Sequence, residues 1–148
     1  MIVGLMAVAA LNSLGAATRS ALSAGNRAVA VGLADELISE AMDLAYRDPD
    51  EVPIFGREDG ETSGPRNLFD DIDDYHAWDE NPVVSATGVA LPDRGKFRRY
   101  ASVAFVAPDN PTTITAGNTD LGVKRIRVIV EYDGQPLAEQ FALITDVD

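Results

Sequence analysis

The sequence predicts an α+β fold: one long N-terminal α-helix packed on a small antiparallel β-sheet of three to four strands. Three observations carry the prediction. Residues from Ile2 to about Arg47 contain no proline and are mostly Ala, Leu, Val, Met, Glu and Arg, which suit a helix. Residues 97–145 hold three runs in which apolar and polar side chains alternate with the period of a strand. Asp133-Gly134 stands between two of those runs, where a tight hairpin turn needs such a pair. With 148 residues, 46% of them apolar, the chain has the size and core of a single domain.

The helix is expected to stop at Asp48-Pro49, because a residue before proline is pushed out of the α region. Gly25-Asn26 is the expected place for a bend. Its two halves differ in character. Met1 to Leu14 is apolar almost all round, whereas Leu22, Val29, Leu33, Leu37, Ala41 and Leu44 recur at spacings of three, four or seven and form one stripe. Arg27, Asp35, Glu36, Ser39, Glu40 and Asp43 fall opposite. A helix of about 45 residues spans roughly 68 Å, whereas the remaining hundred residues form a body with a radius of gyration near ~13 Å. Around half of the helix must therefore project, and the projecting half is the apolar one, the mark of a membrane or protein interface.

The chain divides into a helical segment 1–47, an acidic segment 48–82 and a β segment 83–148. In the last, Val83–Val89 reads as a short strand. Phe97–Ala107 reads as a longer one, with Phe97, Ala101, Val103 and Phe105 on one face. In Val123–Tyr132, Ile126, Val128, Val130 and Tyr132 point one way, and Arg125, Arg127 and Glu131 the other. Leu137–Thr145 returns after the turn with Leu137, Phe141 and Leu143 as its apolar set. Arg98, Arg99, Lys124, Arg125 and Arg127 are expected on the wet face of the sheet, balancing the acidic segment.

The net charge is −12, which argues against nucleic acid or anionic lipid headgroups as the main partner. Nearly all of it sits in residues 48–82, which carry twelve acids and two arginines. The densest run is Phe69 to Glu80. Its carboxylates repel one another unless they are solvated, turned outward or neutralised. Calcium is a natural neutraliser, and Asp70, Asp71, Asp73 and Asp74 are its candidate ligands, although their spacing is not that of an EF-hand. The simpler account is a loop whose aspartates cap turns while Phe69, Ile72, Tyr75 and Trp78 tuck against the sheet.

No catalytic set is visible, and the chain reads as a non-enzyme. His76 is the only histidine, there is no cysteine, and Ser85 and Ser102 lack a nucleophile-elbow context. Neither a P-loop nor a dinucleotide fingerprint is present.

The run from Ile2 to Met42, the acidic FDDIDDYHAW, the strands FRRYASVAFVAPDNP and GVKRIRVIVEYDGQPLA and the closing ALITD resemble, in this order, type IV pilins and type II secretion pseudopilins. The likeness is nearest to minor pilins and I-type minor pseudopilins and covers almost the whole chain. The resemblance implies a pilin-like fold and a structural subunit of a pseudopilus or type IV pilus. Such a subunit sits in the bacterial inner membrane by a single pass, with its C-terminal domain in the periplasm. Its partners are other pilin or pseudopilin subunits, the inner-membrane assembly machinery and membrane lipid around the helix. Ile2, Val3, Leu5, Met6, Val8, Leu11 and Leu14 would pack against neighbouring helices or lipid, with Gly4, Ala7 and Gly15 allowing close approach.

Family members begin with a short basic leader ending in Gly, then Phe or Met, with Glu at the fifth mature position. Neither the leader nor that Glu stands here, so the chain reads as starting roughly ten residues into the mature helix, short of the ~20 residues a spanning helix needs. Two other readings compete: a calcium-dependent adhesion or substrate-recruiting module built on the acidic loop, and a small secreted enzyme whose first residues are a signal cleaved near Ala16-Ala17.

Overall fold

Helix α1 spans Ile2–Met42 in the computed structural model. This structure describes residues 2–48, 54–58, 60–62 and 64–146, with side chains of the helix from Ala17 onward. The helix runs through Gly25-Asn26 as one element but stops at Met42, short of the predicted Arg47. Backbone pairing just past Met42 accounts for the early stop. The Ala45 amide donates to the Asp70 carbonyl at 3.4 Å, and the Ala45 carbonyl accepts from Ile72 N at 3.1 Å. These backbone groups are spent on pairing with the acidic segment and cannot continue the helical ladder. Pro49 lies outside the described residues.

Among the described residues, five strands come after the helix, rather than three or four. They are β1 (Trp78–Glu80), β2 (Phe97–Ala107), β3 (Asn110–Ile114), β4 (Val123–Tyr132) and β5 (Gln135–Thr145). The order is β1-β2-β4-β5, all antiparallel, with β3 folding back on the far end of β2. The two additional strands are short: β1 lies inside the acidic segment, and β3 carries a proline. Val83–Val89 is not a strand. Ser85 N bonds Val89 O at 2.8 Å and Gly88 N bonds Ser85 O at 2.9 Å, which closes a tight turn around Gly88, whose φ of +81° suits glycine.

The inner face of the sheet follows the period of two. Phe97, Arg99, Ala101, Val103 and Phe105 of β2 stand opposite Tyr132, Val130, Val128, Ile126 and Lys124 of β4. Leu33, Leu37 and Ala41 of the helix are buried in the same core, as are Ala30 and Ala34. Leu22, expected in that stripe, is 64% exposed, because the helix has left the sheet at that level. Phe69, Ile72 and Tyr75 are buried and Trp78 is half-buried, so the acidic segment packs on the body by its aromatic and aliphatic residues, as expected.

Strand β5 departs from its predicted facing. Asp133 and Gly134, at φ +52° and +75°, form the hairpin turn. Glu131 then pairs with Pro136 but Val130 with Ala138, so Leu137 is an extra residue in the ladder. This bulge reverses the alternation beyond it. Ala138, Ala142 and Ile144 pack on the core, while Phe141 and Leu143 emerge on the outer face at 66% and 38% exposure.

Candidate functional site

The helix leaves the body early. Every side chain from Ala17 to Gly25 is exposed, and full burial begins only at Ala30. The helical stretch ahead of Ala30 is about 40 Å long at ~1.5 Å per residue. The exposed residues are mainly small: Ala17, Ser20, Ala21, Ser23, Ala24 and Gly25. A Cβ built on Gly25 or Gly32 meets nothing within 4 Å. Small residues let a second helix approach closely. The predicted packing residues Ile2, Val3, Leu5, Met6, Val8, Leu11 and Leu14, with Gly4, Ala7 and Gly15, lie outside the residues whose side chains are described. Among the described residues, no helix is long and apolar enough to cross a membrane.

The body is tied together by two buried charge clusters that draw the acidic segment onto helix and sheet. In the first, Glu80 stands between two arginines: Arg99 Nε donates to Glu80 Oε1 at 2.5 Å and Arg66 Nη1 to Glu80 Oε2 at 2.9 Å. Arg99 Nη1 also donates to the Leu33 carbonyl of the helix at 2.8 Å. Arg66 reaches helix residue Glu40 at 2.9 and 3.1 Å, and the Tyr75 hydroxyl donates to the same carboxylate at 2.9 Å. Burial, followed by the Glu40 charge, drives the Tyr75 hydroxyl well above the ordinary tyrosine range. Arg99 was expected on the wet face. It lies at 0% exposure because it shares the inward parity of Phe97 and Ala101.

The second cluster is centred on Lys124, also expected on the wet face and 3% exposed. Its Nζ contacts Asp73 Oδ1 and the Tyr46 carbonyl, and stands 3.7 Å from Asp71 Oδ2. The rings of Tyr46 and Phe105 lie 4.6 and 5.5 Å from the same atom. Asp71 Oδ1 is spent on the 3₁₀ turn Ile72–Tyr75, accepting from Asp73 N at 2.7 Å and Asp74 N at 3.3 Å. Asp74 completes the capping box by accepting from Asp71 N at 3.2 Å. Burial, then the hydrogen bond and charge of Asp73, push Asp71 up to about 8. The cluster borders a cleft of about 370 Å³ lined by Arg47, Ile54, Phe55, Asn118 and Asp120 as well.

The four predicted aspartates therefore do not converge on one point. Asp70 is exposed, Asp71 and Asp73 face Lys124, and Asp74 joins Glu58 and Glu61, with one oxygen of each within 4.8 Å of the others. Burial, then the neighbouring Glu58 carboxyl, push Glu61 up to about 8, so Glu61 keeps its proton at neutral pH. Glu58 and Glu61 lay outside the predicted set. No local spacing linked them to Asp74, and only the folded chain brings them together.

Of the other basic residues, Arg98 pairs with Asp79 and Arg127 with Glu139 on the outer face, both partly exposed. Arg125 Nη1 donates to the Pro111 carbonyl at 2.8 Å. His76 holds Nδ1 2.8 Å from the Val103 carbonyl oxygen and packs edge-on against Phe55 at 5.1 Å. Ser85 Oγ is engaged with Thr87 and the Val89 amide. No family model, curated protein or solved structure matches this chain.

Proposed function

We propose that this protein is a structural subunit that assembles through its N-terminal helix, in the manner of a minor pseudopilin or type IV pilin. One observation carries the reading: in a helix of 41 residues, the described side chains are exposed from Ala17 to Gly25 and fully buried only from Ala30 onward. A single helix exposed over such a length gains little stability from its own hydrogen bonds, because most helical stability in proteins comes from packing. Neighbouring helices, or lipid around the apolar residues 2–14, would supply that packing. The body contributes a rigid load at the other end, since the Arg66–Glu80–Arg99 cluster joins the acidic segment to helix and sheet and the Lys124 cluster joins it to β4.

The chain has no cysteine, which makes a direct test simple. Single substitutions Ala17→Cys, Ala21→Cys, Ala24→Cys and Ala28→Cys are introduced, with Thr113→Cys on the body as reference, and cross-linking is followed in the membrane fraction. The expected result is covalent dimers at a subset of helix positions three or four residues apart. Cross-linking no stronger than at Thr113, at every helix position, would refute helix-mediated assembly.

A further inference from the structure

The Lys124 cluster combines features that an ordinary buried ion pair does not require. The chain has ten arginines and two lysines. Its other buried cluster uses arginines, the usual choice for interior ion pairs, since guanidinium keeps its proton and spreads its charge. At position 124 stands a lysine, which can give up its proton and become a nucleophile. Its Nζ contacts the Asp73 carboxyl directly, within a site where Lys124, Asp73 and Asp71 are 3%, 3% and 4% exposed. A second carboxyl, Asp71, presents Oδ2 3.7 Å from the same nitrogen while its Oδ1 is fixed by two backbone amides. Aromatic rings of Tyr46 and Phe105 flank the pair.

We propose that Lys124 and Asp73 condense to an intramolecular isopeptide bond, with Asp71 positioned as the proton carrier. In the reacting step the ammonium passes a proton to the Asp73 carboxylate it touches, which leaves an amine and a carboxylic acid. The amine lone pair attacks Asp73 Cγ. Asp71 gives a proton to the departing hydroxyl and recovers one from the nitrogen, so it is unchanged overall. A C–O bond breaks, a C–N bond forms and one water leaves toward the neighbouring cleft. Carboxylic acid and amine become amide and water, with no oxidant or co-reactant. The raised affinity of Asp71 for its proton suits that role. Holding Nζ against the Asp73 carboxyl group supplies the effective concentration that amide formation lacks in water. The product joins the acidic segment to β4 covalently, and the inference stands apart from the assembly reading.

Intact-mass spectrometry of the purified full-length chain tests it. The expected mass is lower than the sequence mass by one water, and protease digestion yields one branched peptide joining the segments that contain Asp73 and Lys124. Lys124→Arg and Asp73→Ala restore the full mass, while Asp71→Asn leaves the bond unformed or slows its appearance at least tenfold in freshly made protein. A full sequence mass in the unaltered chain overturns the proposal, and that measurement depends on no variant folding. Water loss that maps to Asp133-Gly134, where a succinimide could form, overturns it equally.

Discussion

Glu61 shows how one buried group sets a pH dependence. Its ordinary value is 4.5, and in the folded chain it rises to about 8, through burial first and the Glu58 carboxyl second. As pH climbs through that interval, the unfolded chain gains by releasing the proton while the folded chain retains it. Stability therefore falls between about pH 4.5 and 8 and levels off above. Glu61→Gln keeps the shape without the charge. It should raise stability at pH 8 by about 1–2 kcal/mol and leave it nearly unchanged at pH 4.5, as read from urea midpoints. Asp71 shifts in the same direction, so the slope shrinks in the variant rather than vanishing. A variant that loses equal stability at both pH values would contradict this account.

Residue-scale facts were the least legible in the sequence. The alternation of β2 and β4 identified Phe97, Ala101, Val103, Ile126 and Val128 as inward, and they are buried. The same parity places Arg99 and Lys124 inward. Their charge argued for the wet face, and parity prevailed because each meets an acid from the distant segment 71–80. Nothing local announces a partner 19 or 51 residues away.

Among the elements, β2 and β4 were legible to their end residues, because each is a long alternating run bounded by turn residues. Strand β5 was legible in its end at Thr145, but it starts at Gln135, two residues ahead of the expected Leu137, and its facing was not legible. Leu137, Phe141 and Leu143 share a parity that a regular hairpin would direct inward, and the bulge at Leu137 turns Phe141 and Leu143 out. A bulge depends on how two strands meet, so the sequence of one strand does not reveal it. The contrast can be measured. Leu37→Ala, at a fully buried helix position, should cost about 2–5 kcal/mol. Phe141→Ser, on the outer face, should stay within about 0.5 kcal/mol in the same denaturation assay. A large loss at Phe141 would mean that the outer face is covered.

Across the whole molecule, the segment carrying most of the net charge is held by inward-facing cations rather than spread as a solvated loop. Among the described side chains of the helix, those from Ala17 to Gly25 are uncovered and packing begins in full at Ala30. Packing decides which backbone opens to a protease. Brief trypsin treatment of the dispersed protein should therefore cut first after Arg19 and Arg27, both on the exposed helix, and leave the body intact. Arg66, Arg99 and Lys124 are buried and should resist, as peptide mass mapping would show. Early cleavage at Arg66 would show that the acidic segment is not clamped. The sequence did convey this division, because a 41-residue helix cannot be covered by a body of about a hundred residues.

The bond from Arg99 to the Leu33 carbonyl and the bonds from Arg66 to Glu40 join the helix to the body at two levels, inside the same stretch that packs on the sheet. A pull on the leading end of the helix is thus borne in shear, by two guanidinium anchors and the packed side chains together. Such a joint does not peel open one contact at a time. It holds until several contacts fail at once, and tension on the helix is passed to β2 and β1 through Arg99 and Glu80.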